Sequence, residues 1–182
     1  MLEDFSGIIN WKNLFSKSEN FQKNQPFKFG FIENIFETAF YNNLYGSYPS
    51  FDTFKDGSDL SKSQLLRRWG NTLPKKYVDP GNDSNLSEEW NRLKRYAESN
   101  EFIENFRKFS GTRVNKLQQF HFIGYTQGGF QLPHIHNVGP NTLVLMFYFS
   151  KGWQKGQAGG TYMASEEDES KIIFEPYDLD NS

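Results

Sequence analysis

Residues 125–163, YTQGGFQLPHIHNVGPNTLVLMFYFSKGWQKGQAGGTYM, hold two of the chain's three histidines and its longest apolar run. His134 and His136 are two apart, so on an extended strand both imidazoles share one face while Ile135 packs behind them. Pro133 fixes the approach to the pair, and Gly128 and Gly129 make room for a turn beside it. That spacing suits non-haem iron, manganese, zinc or nickel, all of which accept imidazole. It also occurs at surfaces and in hydrogen-bonded cores, and a mononuclear site needs a third ligand from elsewhere in the fold. The other histidine, His121, has the parity of Ile123 and Tyr125. It is a possible cavity residue, although a hydrogen-bonded core position is the preferred expectation. Glu175 and Asp178 are the weaker carboxylate candidates, whereas Glu166, Glu167, Asp168 and Glu169 read as the charges of a solvated turn.

The 182 residues suffice for a sizeable core, and one domain is the simplest expectation. Mean hydropathy is low, at -0.73, yet 18% of the residues are aromatic and nineteen are phenylalanine. Such ring surface argues for a folded globule rather than a disordered chain. A net charge of -2 supplies no basic field, which argues against nucleic acid as a partner. Zero cysteines exclude disulfides, thiolate metal sites and cysteine nucleophiles. The opening residues lack a basic, apolar leader and no apolar run is long enough to span a bilayer as a helix, so a cytoplasmic protein with no membrane partner is expected.

Along the chain, residues 1–24 read as a loosely docked N-terminal arm. Phe27, Phe29 and Phe31 alternate as on a half-buried strand. Ile35, Phe36, Ala39, Phe40 and Leu44 then follow helical spacing, closed by Gly46 and Pro49. A small helix is expected over residues 62–69. Asn85 and Glu88 suggest a capping box for a helix carrying Trp90, Leu93 and Ala97, and Ser99 and Asn100 interrupt it before a second piece ended by Gly111. From Val114 onward the pattern changes to strands, at residues 116–126, 133–136, 142–150, 159–165 and 170–176, joined by turn-forming and acidic residues. Arg67, Arg68, Lys75 and Lys76, near Trp69 and Tyr77, read as a solvated basic surface. Phosphate-loop, dinucleotide and nucleophile-elbow motifs are missing.

Three parts of the chain together resemble the Fe(II)/2-oxoglutarate-dependent dioxygenase superfamily, in its prolyl-4-hydroxylase-like branch. They are the strand and helix of residues 25–49, the helical residues 88–111, and the run containing Tyr125, Gly128, Gly129, Phe130, Leu132 and His134 with the apolar strand and Gly-Gly turn after it. The resemblance implies an α+β, mainly β fold: a double-stranded β-helix (a cupin-like jelly roll) with N-terminal supporting helices. One domain would cover residues 1–182, with strand and helical support at 25–111 and the partial β-helix core at 112–182. It implies an oxygenase that hydroxylates a peptide side chain or small molecule, with Fe(II) and 2-oxoglutarate as cofactors. His134 would be the first iron ligand, His136 would stand at the carboxylate position, and Tyr125 would approach the cosubstrate. Two departures accompany it. A neutral imidazole replaces the anionic ligand, and no residue stands at the positions of the distal histidine and the cosubstrate-pairing arginine or lysine. The implied barrel is therefore incomplete at its C-terminal side, as in a piece of a longer product, and its exposed sheet edge offers a route to a homo-oligomer.

The sequence leaves two further readings. One is a non-catalytic β-helix module for binding or assembly. The other is a cupin-like metal protein, since Gly128 and the histidine pair resemble the start of a cupin motif that then lacks its glutamate.

Overall fold

The computed structural model describes residues 3–71, 81–135, 139 and 141–182. Four helices, α1 (Trp11–Lys23), α2 (Thr38–Gly46), α3 (Glu88–Glu98) and α4 (Asn100–Ser110), supply most of its core. The segment that reads as a loose arm folds as α1. Asn10 caps it by accepting from Asn13 N at 3.1 Å, and Leu14 and Phe21 are buried, with Phe21 against Phe109 of α4. Of its polar residues, Ser18 and Gln22 donate to the carbonyl of Phe109 at the end of α4, and most of the others face outward. Ser87, rather than Asn85, caps α3, accepting from Trp90 N, and two glutamates occupy the first turn. Asn85 instead donates its N–H to Asp83. The expected break at Ser99 is present. Its extended backbone ends α3 while its hydroxyl accepts from Phe102 N and starts α4. Gly111 ends α4 in the left-handed region, φ 66°, where a Cβ is disfavoured.

The strands are short. They are β1 (Lys55–Asp56), β2 (Lys62–Ser63), β3 (Leu65–Arg68), β4 (His121–Gly124), β5 (Phe130–Gln131), β6 (Met163–Ala164) and β7 (Ile172–Phe174). They make three antiparallel sheets, of order β1-β3-β4, β2-β5 and β6-β7. The small helix expected at residues 62–69 is thus β2 and β3, because Leu65 to Arg68 pair in register with Gly124 to His121 and tertiary pairing outweighs a weak helical pattern. Phe27, Phe29 and Phe31 join no ladder; Phe29 and Phe31 pack their rings on Phe174 instead.

These sheets overturn the expected double-stranded β-helix. Closing a jelly roll requires long strands in continuous register around the barrel. Here the sheets have two or three strands each and stay open among the described residues. Residues 133–135 carry no strand. The apolar run of residues 143–149 is stitched to the C-terminal segment rather than into a barrel. Phe149 bridges Asp180, Tyr148 N donates to Ser182 O at 2.9 Å, and Ser150 N to Leu179 O at 2.8 Å. The molecule is a mixed α+β structure of four helices and three small open sheets among the described residues.

Two polar devices hold the layers together. Asn181, at φ 52°, presents its side chain to both backbone groups of Phe36: Phe36 N donates to Oδ1 at 3.0 Å, and Nδ2 donates to Phe36 O at 3.1 Å. Its own carbonyl accepts from Ile35 N. Arg67, 1% exposed and not the solvated residue expected from sequence, pairs with Asp83 at 2.8 Å. Lys75, Lys76 and Tyr77 lie outside the described residues. Asn91 on α3 clasps the backbone of Asp83, accepting from its N–H at 2.7 Å and donating to its carbonyl at 3.0 Å. Burial by itself would raise the Asp83 carboxyl. Hydrogen bonds from Asn85 N–H, Arg67 and Gly70 N–H, with the Arg67 charge, outweigh it and hold the pKa below the ordinary aspartate value.

Replacing Asp83 with alanine leaves a buried guanidinium uncompensated and is expected to cost about 3–5 kcal/mol in urea unfolding. The native carboxyl titrates below the unfolded one. Its contribution is therefore full above about pH 4 and is lost as pH falls through the lower folded value, a slope the variant should lack. Asn181→Ala strips both partners from the Phe36 backbone and is expected to cost about 1–3 kcal/mol by the same measurement.

Candidate functional site

Strand parity sorts the sheet residues into two sets. On β4, Phe122 and Gly124 are buried, while His121 and Ile123 are exposed. In the run that follows the histidine pair, Leu143, Phe147 and Phe149 pack against the helical core, and Val144 and Met146 lie 44% and 50% exposed. Gly124 is the inward residue because Phe51 lies over it: a Cβ there would meet the ring at 2.8 Å. The outward set continues through Tyr125, Phe130, Leu132 and Ile135, all exposed.

Hydrogen bonds connect part of this outward set. The Tyr125 hydroxyl donates to Gln131 Oε1 at 3.0 Å and to Gln64 Oε1 at 3.3 Å, which ties β4 to the β2-β5 sheet. Leu132 N donates to Ser61 O at 2.8 Å and extends that pairing by one bond. The Tyr148 hydroxyl reaches Met146 Sδ at 3.9 Å. Desolvation, then the neighbouring Tyr148, pushes the Tyr125 phenol up; desolvation likewise raises Tyr148, against a hydrogen bond with Thr161 that lowers it. Both rings therefore stay neutral at physiological pH and contribute apolar area with a hydroxyl tip.

The histidines are arranged differently from the sequence expectation. His134 is exposed; its Nδ1 lies 3.0 Å from Leu132 O, and its Nε2 lies 3.5 Å from Gln131 Nε2. His136 lies outside the described residues. His121 is exposed on β4 opposite Arg68 of β3, not in a core network, and desolvation followed by the Arg68 charge lowers its pKa. Of the carboxylate candidates, Glu175 pairs with Lys155 at 3.3 Å and Asp178 accepts from Asp180 N. Glu166, Glu167, Asp168 and Glu169 are exposed as expected, with Asp168 accepting from Ser170 in the turn.

The donor set does not fit an iron centre. Among the described residues no three His, Cys, Asp or Glu side chains come together to hold a metal ion. With the barrel also unformed, the reading as a 2-oxoglutarate-dependent, iron-binding dioxygenase or hydroxylase is overturned, and a cupin-like barrel fails for the same reason. What remains in this region is a surface of aromatic, aliphatic and amide groups, with His134 beside Gln131 and His121 opposite Arg68. Sequence reasoning passed over Val144, Met146 and Ile123 in favour of the histidines. The signal for them was present, since the run at residues 143–149 is apolar at both parities and so offers a second apolar face once the first is buried.

Among the described residues no helix is long and apolar enough to cross a membrane. Comparison of the chain with protein-family models, with characterised proteins and with solved structures gives no match, so the outward face has to be interpreted from its own chemistry.

Proposed function

We propose that the chain is a non-catalytic binding and assembly module whose working surface is the exposed apolar face around Tyr125, Val144 and Met146. One observation carries this reading. Ile123, Tyr125, Val144 and Met146 are 40%, 41%, 44% and 50% exposed, with Leu145 also exposed between the last two, while Phe122, Leu143 and Phe147 turn to the core. Single exposed apolar side chains are ordinary, but several gathered on one surface are what association surfaces present. The occupant that fits best is a second copy of the chain. Two such faces stack at the usual sheet spacing of about 10 Å and bring no like charges together, because these four residues carry none. The short, open strands add unpaired backbone edges to the same surface.

In sedimentation velocity the wild-type chain is expected to pass from monomer to dimer as concentration rises. Val144→Glu and Met146→Glu, each placing a carboxylate on an exposed position in both copies, should weaken that association by about tenfold or more. A chain that stays monomeric throughout, or association indifferent to both substitutions, defeats the proposal.

A further inference from the structure

Away from the sheet face, a cleft of about 450 Å³ opens at the C-terminal end of α4, lined by Arg107, Gly111, Thr112 and Arg113. We infer that this cleft is a binding site for a small, multiply charged oxyanion of phosphate type. The volume falls within the range of small-ligand pockets. Two guanidinium groups line it, and a third cation stands beside it: Lys28 Nζ donates to Ser110 O at 3.3 Å and lies 3.6 Å from the position a Cβ on Gly111 would take.

The grouping of these cations marks the cleft. Among the described residues, Arg107, Arg113 and Lys28 form no ion pair, although Glu104 lies one turn back from Arg107 on the same helix. In a chain of net charge -2, three cations left without carboxylates around one cleft form a local positive field.

The end of a helix would ordinarily oppose an anion, because its last carbonyls point outward. Here those carbonyls are occupied. Gln22 Nε2 donates to Phe109 O at 2.8 Å and to Lys108 O at 3.3 Å, Lys28 donates to Ser110 O, and Gly111 N closes onto Arg107 O. Arg107 Nε donates to the carbonyl of Val114, which anchors the guanidinium and leaves its terminal amino groups for a ligand. Planar guanidinium groups match the paired oxygens of phosphate, and two of them with an ammonium exceed what a single phosphoryl group requires. A diphosphate is therefore expected to bind more tightly than a monophosphate.

The test is a titration of the ¹⁵N-labelled full chain with inorganic pyrophosphate and, separately, inorganic phosphate, at ionic strength held constant with sodium chloride. Saturable amide shifts centred on Gly111, Thr112 and Arg113 are expected, tighter for pyrophosphate. Arg107→Gln and Arg113→Gln should each weaken binding by about tenfold. Arg113, which makes no hydrogen bond among the described residues, tests the site without disturbing the Val114 tether. Lys55→Gln on β1 removes the same charge elsewhere and should change nothing. Shifts that stay linear in anion concentration, survive Arg113→Gln, or fall equally in Lys55→Gln overturn the inference.

Discussion

Trp90 stands where the helices meet the strands, and the remaining architecture follows from how its indole is packed. The ring is 2% exposed, with Phe122 of β4 at 4.8 Å, Phe149 at 5.3 Å and Tyr48 at 5.8 Å, and its Nε1 donates to Ser47 O at 3.1 Å. One side chain thus joins α3, the central sheet, the apolar run and the segment after α2. Edge-to-face packing of this kind adds to the burial of the rings themselves, and truncating a ring in such a setting generally costs about 3–5 kcal/mol. Because Phe122 and Phe149 point to Trp90, strand geometry forces the alternate residues to point away from it. No second layer covers those residues among the described ones, so the outward face is a consequence of the inward packing.

Polar contacts position the parts that hydrophobic burial would leave free. The Arg67 and Asp83 pair is costly by itself, since both groups are desolvated and the Nε and Nη1 atoms of Arg67 find no hydrogen-bond partner. Its value is geometric. With Asn91 it fixes residues 81–85 against β3 and α3, and Lys94, fully buried beside Trp69, joins Glu98 at 2.8 Å on the same helix. At the other edge, Asn181 and the backbone bonds of residues 179–182 bind residues 35–36 to residues 148–150. Tyr41 adds a short hydrogen bond to Asp180. A C-terminal segment with Leu179 1% exposed is therefore part of the core and not a tail upon it.

Charge and apolar area are separated in this molecule. Charged groups in the interior are committed to partners, and the sheet face holds amides, phenols, an imidazole and hydrocarbon. Arg107, Arg113 and Lys28 stand apart from that face, at the end of α4. The molecule thus has an exposed, mostly apolar surface beside β4 and a separate cluster of cations at the end of α4.

Local signals were legible in the sequence because they depend on neighbours within a few residues. Ser99 and Gly111 mark helix ends by their own backbone and hydroxyl chemistry, the spacing of Trp90, Leu93 and Ala97 gives a buried helical face, and the parity of Phe122 against Ile123 assigns the sides of β4. Parity also placed His121, Ile123 and Tyr125 together. What it could not carry is whether anything roofs that face. Barrel closure depends on hydrogen-bond partners distant in sequence, and the same alternation serves a closed jelly roll or an open sheet. The burial of Arg67 and Asn181 likewise needed partners 16 and 145 positions away. The sequence by itself determined the break between α3 and α4 at Ser99, the end of α4 at Gly111 and which residues of β4 share a face. Only the tertiary structure decided that the face stays open and its described histidines apart, because long-range pairing has no local signature.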